Sequence, residues 1–387
     1  MSYKNHLTYI ILLLFIILLF LNLEINLSQH FVDLARSFAS GSLSFTKVDT
    51  NISDYVFFNG KYYWPLGPFP AIILLPFVLV FKMFYQAFIS FPLTIVNFYL
   101  LLKIARALKV DGKRATLLAL FFTFGSIYFP LASLPGSWYF AQTVACTLLV
   151  IAVYEFLNRK RYFLIGLLVA CAIATRITTA PASLFFLYYL FQKPFKLNNL
   201  VKFLLPITVV ILLLAIYNYA RFKNPLESGY NYQIIPNEAK TRREIGLFSP
   251  KHIPSNLYYM LLKGPDPILN SNSHELKPPF ITFDSYGLSL FFLSPILFLI
   301  FTADYRKKML RVAAITSLLI LIPILSYYGI GQRQVGYRYA LDLFPFIYLI
   351  VSDKANEISL KMLYLLVFWG VFFSVYFSFL YLLRIMY

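Results

Sequence analysis

Long apolar runs alternate with short polar connections along almost the whole chain. Runs of about 17–22 residues match the helix length needed to cross about 30 Å of hydrocarbon, and they recur from Leu7 onward. Counting them predicts an all-α, polytopic transmembrane helical bundle of about eleven spans, read as one integral membrane domain over 1–387. The stretch from Leu27 to Pro76 breaks the rhythm, because it mixes acids, bases, aromatics, Gly and Pro. Residues 27–65 are expected to form a first loop at the bilayer surface. Residues 66–84, opened by Pro68 and Pro70 and interrupted by Pro76, suit a juxtamembrane or re-entrant helix too short to cross. A second long loop, 221–283, is rich in Pro, Asn, Tyr and charge. It is expected to hold short helices and turns near Asn224-Pro225 and Gly264-Pro265.

Composition sharpens the class. With 60% hydrophobic and 13% charged residues, a soluble globular domain is excluded. The first run, Leu7 to Leu23, lacks a small-residue cleavage site and reads as a retained signal anchor. Cys146 and Cys171 lie inside apolar runs, as small hydrophobes do. Four scattered His residues offer no Cys/His cluster, so no metal site is read, no cofactor is evident and a divalent-metal requirement stays open. The formal net charge of +18 does not imply nucleic acid, because placement matters more than the sum. The basic turns 103–114, 158–161, 192–202 and 304–311 belong in the cytoplasm with the N-terminus. That puts 27–65, 133–140, 175–180, 221–283 and 329–338 outside and makes the protein a multi-pass cell (inner) membrane protein with an extracytoplasmic active face. Glu155, beside the basic 158–161 turn, reads as a surface ion pair.

Arginine at an outer helix end runs against this charge bias, so an anion is the functional explanation. Arg176 sits in ATRITTAP, and Arg333 and Arg338 sit in GQRQVGYRYALDLFP. The ordinary alternatives are snorkelling to headgroups or pairing of Arg338 with Asp342. Asp33 and Asp54 in the first loop are candidate general bases, with His30 as a hydrogen-bonding partner. Tyr62, Tyr63 and Trp64 form either an interfacial belt or a sugar-stacking platform. Trp138, Tyr139 and Gln142 face the same surface. Cations for a phosphate, aromatics for a sugar and a carboxylate for an acceptor proton suit a lipid-linked phosphosugar. No Gly-rich phosphate loop points to a nucleotide sugar.

These segments resemble the GT-C membrane glycosyltransferases, in particular the mannosyltransferase-like, polyprenyl-phosphate-sugar-dependent groups. The similarity lies in DLARSFASG, NGKYYWPLGPFPAIILLPF, ATRITTAP, YNYARFKNPLESGY and YRYALDLFPF. The resemblance implies inverting transfer of a sugar from a polyprenyl-phosphate donor in the bilayer to a glycan, lipid or protein acceptor, with a first-loop Asp as base. The usual place for that acid reads Asn26-Leu27-Ser28-Gln29-His30, with Glu24 nearby. Asp33 or Asp54 therefore substitutes, or the chain is an inactive relative. A second acid expected in 133–140 is replaced by Ser137 and Trp138, with Gln142 following. Competing readings are a lipid-linked sugar flippase, a purely structural membrane protein, or an O-antigen ligase- or polymerase-like enzyme using Arg242, Arg243 and His252.

Overall fold

A computed structural model of the protein describes residues 3–23 and 28–385; Glu24, Asn26 and Leu27 lie outside the described residues. The architecture is mostly helical. After α1 (Tyr3–Leu21) comes α2 (His30–Ala39), whose Phe31, Leu34 and Ala35 are buried on one face. Gly41 ends it in the left-handed region (φ 74°), as a helix stop requires. A hairpin follows, β1 (Val56–Phe58) and β2 (Lys61–Tyr63), paired Val56 to Tyr63. Its turn is Asn59-Gly60, with φ of 48° and 74°, the residue pair that a two-residue turn with positive φ favours. Then comes α3 (Phe69–Val80), with Pro70 in its first turn and Pro76 inside it. Its 12 residues reach only about 18 Å, short of a crossing.

The bundle continues through α4 (Ala87–Ala107), α5 (Gly112–Phe124), α6 (Tyr128–Ser133), α7 (Ser137–Asn158), α8 (Tyr162–Thr175), α9 (Ala182–Leu190) and α10 (Leu197–Phe222). The second long loop carries α11 (Asn237–Glu244), α12 (Ile253–Leu261) and a hairpin, β3 (Asp266–Leu269) with β4 (Leu276–Thr282). The chain closes with α13 (Leu290–Leu293), α14 (Lys308–Ser326), α15 (Phe344–Asp353) and α16 (Leu360–Leu382). The fold is all-α, with two short two-stranded hairpins carried in the long loops.

Among the described residues five helices are long and apolar enough to cross a membrane: α4, α7, α10, α14 and α16. They mark the chain as a membrane protein, and they correct the expected count of about eleven. Several other apolar runs, those of α3, α5, α8 and α9, are short or broken, and the breaks have causes. The run through 112–133 stops at Gly125, where an added Cβ would press on the α16 backbone at 3.2 Å. The run through 162–190 is interrupted at Arg176, whose backbone is extended (φ −148°, ψ 111°) before a short 3-10 turn, Ile177–Thr179. Ahead of α15 lies another such turn, Arg338–Leu343, and Pro345 opens the helix itself.

One large apolar core runs through α5, α7, α8, α15 and α16, and a smaller one joins α2, the first hairpin and α3 to the start of α7. Trp138 packs against both. Inside the larger core, Asn97 donates to Tyr128 Oη (2.8 Å) and Thr147 Oγ1 (2.7 Å), tying α4, α6 and α7 together with the polar contacts that bind helices where apolar burial discriminates little. Glu155 is gripped by Arg161 of the basic turn at 2.7 and 2.8 Å, the ion pair expected of it, with the carboxylate packed under an exposed arginine. Both cysteines are free, Cys146 buried and Cys171 half-buried.

Basic turns meet at one end of the bundle. Arg114 donates to the carbonyls of Ala355 and Ile358, Lys307 pairs with Asp353, and Lys308 bonds Gln192. At the opposite end of α4, Gln86 donates to the carbonyls of Ser28 (3.0 Å) and Pro135 (2.9 Å). There the first loop, the start of α7 and the late loop converge.

Gly166 of α8 sits against α10, where an added Cβ would lie 2.1 Å from Phe203 O. Gly166→Leu is expected to lower stability by about 1–3 kcal/mol or more, as overpacking does. Gly112→Ala, with open space around it, should leave the thermal midpoint in detergent unchanged.

Candidate functional site

Asp54 is the pivot of this converging end. It precedes β1 with its backbone in the left-handed region (φ 73°), a conformation that costs a non-glycine residue energy and is enriched at functional sites. The late loop holds it there. Asp54 N–H donates to Ile234 O (2.8 Å), and Ile234 N–H returns to Tyr55 O (2.8 Å). Gln233 Nε2 lies 3.4 Å from the Asp54 carboxylate. Among the described residues no ion pair uses this carboxylate. Burial pushes its pKa above the ordinary carboxylate range, while the Arg338 charge and the Trp138 side chain pull the other way. Tyr230 and Tyr328 lie within the same charge's field.

Arg338 faces it from the start of the 3-10 turn before α15. Its guanidinium lies 5.1 Å from the ring centres of both Tyr139 and Tyr339, a cation-π sandwich. It is 7% exposed and its Nε is buried without a hydrogen-bond partner. The expected alternative, pairing of Arg338 with Asp342, is not what forms. Asp342 instead binds Arg176, whose Nε is 2.9 and 3.1 Å from the two carboxylate oxygens, and Thr178 Oγ1 adds a 2.5 Å bond. Arg176 is therefore neutralised, although it reaches the same cluster through Tyr339, 5.8 Å from its guanidinium.

The first turn of α7 contributes the floor. Tyr139 donates to Arg333 O. One turn along, Gln142 is 1% exposed and neither of its amide atoms has a partner. A buried amide with nothing to bond is costly, so it has the character of a ligand contact. Arg333 itself (φ 51°) points an exposed side chain outward and offers only its carbonyl.

The remaining sequence candidates are placed elsewhere. Asp33 pairs with Arg36 on its own helix at 3.2 Å; burial raises its pKa, and its charged neighbours are Arg36, Asp49 and Lys47, not Arg338. Trp64 is wholly buried, so it is neither a surface belt nor an open platform. It stacks on His30 (4.1 Å, 16°) and meets Trp138 at 5.0 Å. Tyr63 is buried against Phe222, and Tyr62 packs edge-on to Tyr55. His30 is boxed by Trp64, Tyr55 and Phe45. Its backbone N–H donates to Ser137 Oγ at 2.8 Å. It is a strut two rings away from Asp54. His252 is buried with Nε2 3.0 Å from Gly246 O.

The fold thus brings together Asp54, Trp138, Tyr139 and Arg338, with Arg176 behind them, and leaves Asp33, Arg333, Tyr62, Tyr63 and Trp64 outside. Sequence reasoning missed Tyr230, Tyr328 and Tyr339. The signal was present in the tyrosine-rich GYNY, SYYG and YRY blocks. Among the described residues no group of three or more His, Cys, Asp and Glu could hold a metal ion. No protein-family model matches the chain, and no curated protein does.

Burial lowers the His30 pKa from 6.5 to about 4, against a weaker opposing pull from Asp49. The unfolded chain therefore binds a proton that the folded one rejects, and stability falls as pH drops from about 6.5 to 4, by roughly 3 kcal/mol at most. His30→Phe is expected to flatten that part of a thermal-midpoint titration.

Proposed function

We propose that the protein is a polyprenyl-phosphate-dependent, inverting glycosyltransferase of the GT-C type, set in the cell membrane with the Asp54 end extracytoplasmic. The observation that carries this reading is the pairing of an unneutralised, half-buried carboxylate with an unneutralised, buried guanidinium from a distant segment. In this reading Arg338 holds the donor phosphate, since a guanidinium forks onto phosphate oxygens. Asp54 takes the proton of the acceptor hydroxyl. The acceptor oxygen bonds the anomeric carbon from the face opposite the phosphate, and the carbon–oxygen bond to the phosphate breaks. Polyprenyl phosphate leaves with that electron pair, and its charge is met by Arg338. Gln142 and Trp138 border the sugar.

The raised pKa of Asp54 suits a base, whose efficiency rises as its pKa nears the working pH. The basic turns at the far end of the bundle support the orientation. The flippase reading gains less support, because the polar cluster between α4, α6 and α7, Asn97, Tyr128 and Thr147, is held together by its own hydrogen bonds. The ligase reading loses His252, which is spent on a backbone carbonyl.

In membranes supplied with labelled polyprenyl-phosphate hexose, Asp54→Asn should lower kcat by about 10²–10⁴ with expression and thermal midpoint intact. Asparagine tolerates the left-handed backbone, so the substitution isolates the charge. Asp33→Asn should transfer at the wild-type rate. Activity should fall with decreasing pH through a pKa above the usual carboxylate range, because only ionised Asp54 accepts the proton. Full transfer by Asp54→Asn would remove the base assignment.

A further inference from the structure

We propose that Arg242 and Arg243 form a second anion subsite, distinct from Arg338, that takes a phosphate or similar oxyanion carried by the acceptor. The assignment to the acceptor rests on the transferase reading; the anion site stands on the geometry of α11. Both arginines lie in the last turn of that helix. Each spends one nitrogen on a backbone carbonyl: Arg242 Nε donates to Tyr328 O (2.6 Å) and Arg243 Nη2 to Tyr230 O (2.5 Å). The Arg243 guanidinium also lies 5.0 Å from the Tyr328 ring centre.

Arg242 Nη2 and Arg243 Nη1 are buried with no partner. Glu238 and Glu244 stand on the same helix, exposed, yet among the described residues neither arginine forms an ion pair. The wholly buried Tyr337 hydroxyl, also without a partner, lies in the field of Arg242. Two like charges, each anchored by a carbonyl and each keeping a buried spare N–H, come together at Tyr328, whose carbonyl takes Arg242 and whose ring lies by Arg243, and offer what a phosphate accepts.

The site adjoins the base through one short segment. Tyr230, whose carbonyl holds Arg243, lies just ahead of Gln233 and Ile234, which hold Asp54. The separation along that segment is on the order of 10 Å. An acceptor anchored by its anion on the two arginines therefore places a hydroxyl near Asp54, while the donor phosphate occupies Arg338.

The test uses the full-length protein in nanodiscs of zwitterionic phosphatidylcholine, titrated calorimetrically with inorganic phosphate and with dodecyl phosphate. Inorganic phosphate should bind the wild type, bind R242Q/R243Q roughly tenfold or more weakly, and bind R242K/R243K within a few-fold of wild type. R338Q should keep inorganic phosphate binding at the subsite and bind dodecyl phosphate roughly tenfold or more weakly than the wild type. In transfer assays R242Q/R243Q should raise KM for a phosphorylated acceptor while kcat and the donor KM hold. Failure of the wild type to bind inorganic phosphate, or binding unmoved in R242Q/R243Q, overturns the subsite. Equal loss in the glutamine and lysine pairs with a lowered thermal midpoint overturns it too, because the arginines would then only pin the loop. Dodecyl phosphate binding unmoved by R338Q removes the donor reading and leaves the subsite standing.

Discussion

A buried positive charge without a carboxylate beside it shapes everything at the working end of this molecule. Arg338 sits between Tyr139 and Tyr339 with its Nε unbonded. The one carboxylate in its own turn, Asp342, is wholly buried and engaged by Arg176 and Thr178. Removing one partner of such a buried pair costs about 3–5 kcal/mol, so Asp342 is not free to neutralise Arg338. The aromatic faces soften the charge without cancelling it. The guanidinium is left as a standing demand for an anion.

That demand explains the elaborate clamping of Asp54. A carboxylate placed in direct contact would satisfy Arg338 and close the site. The late loop instead pins Asp54 by its backbone to Ile234, in a left-handed conformation, and Trp138 and Gln233 attend its side chain. The two charges sense each other without forming an ion pair. The aromatic box around His30 and Trp64 plays the supporting part, fixing the first loop to the start of α7 through Ser137 and Gln86.

The late loop has a double role in this arrangement. Its Tyr230–Ile234 segment positions Asp54, and its short helix α11 brings two further guanidiniums against Tyr328. Gly229, at φ 105°, makes the tight turn that starts this segment, where a Cβ would press on Phe222 and Val56. Glu227 fixes the same turn by accepting from Gly229 N–H and from Asn231, each at 2.6 Å.

Much of this was readable from the chain alone, for physical reasons. Apolar runs with few charges fix a helical membrane protein, because backbone polar groups in hydrocarbon must be satisfied within helices. Arginines at helix ends opposite the basic turns, Arg176 and Arg338, stood out because their placement is unfavourable without a partner. The Pro-opened α3 and the sharp stop of α2 at Gly41 follow from local backbone chemistry. The Asn59-Gly60 hairpin could have been read the same way and was missed. What the sequence did not decide is how far each apolar run stays one helix: close packing of Gly125 on α16 and the extended backbone at Arg176 are tertiary events, and among the described residues five long apolar helices stand in place of about eleven spans. Nor did it decide which carboxylate meets which guanidinium. Asp33 and Asp54, and Arg176 and Arg338, are alike in type and local pattern. Only the folded chain, by giving Asp33 to Arg36 and Asp342 to Arg176, leaves Asp54 and Arg338 unmatched and facing, because ion pairing at close range is settled by three-dimensional distance.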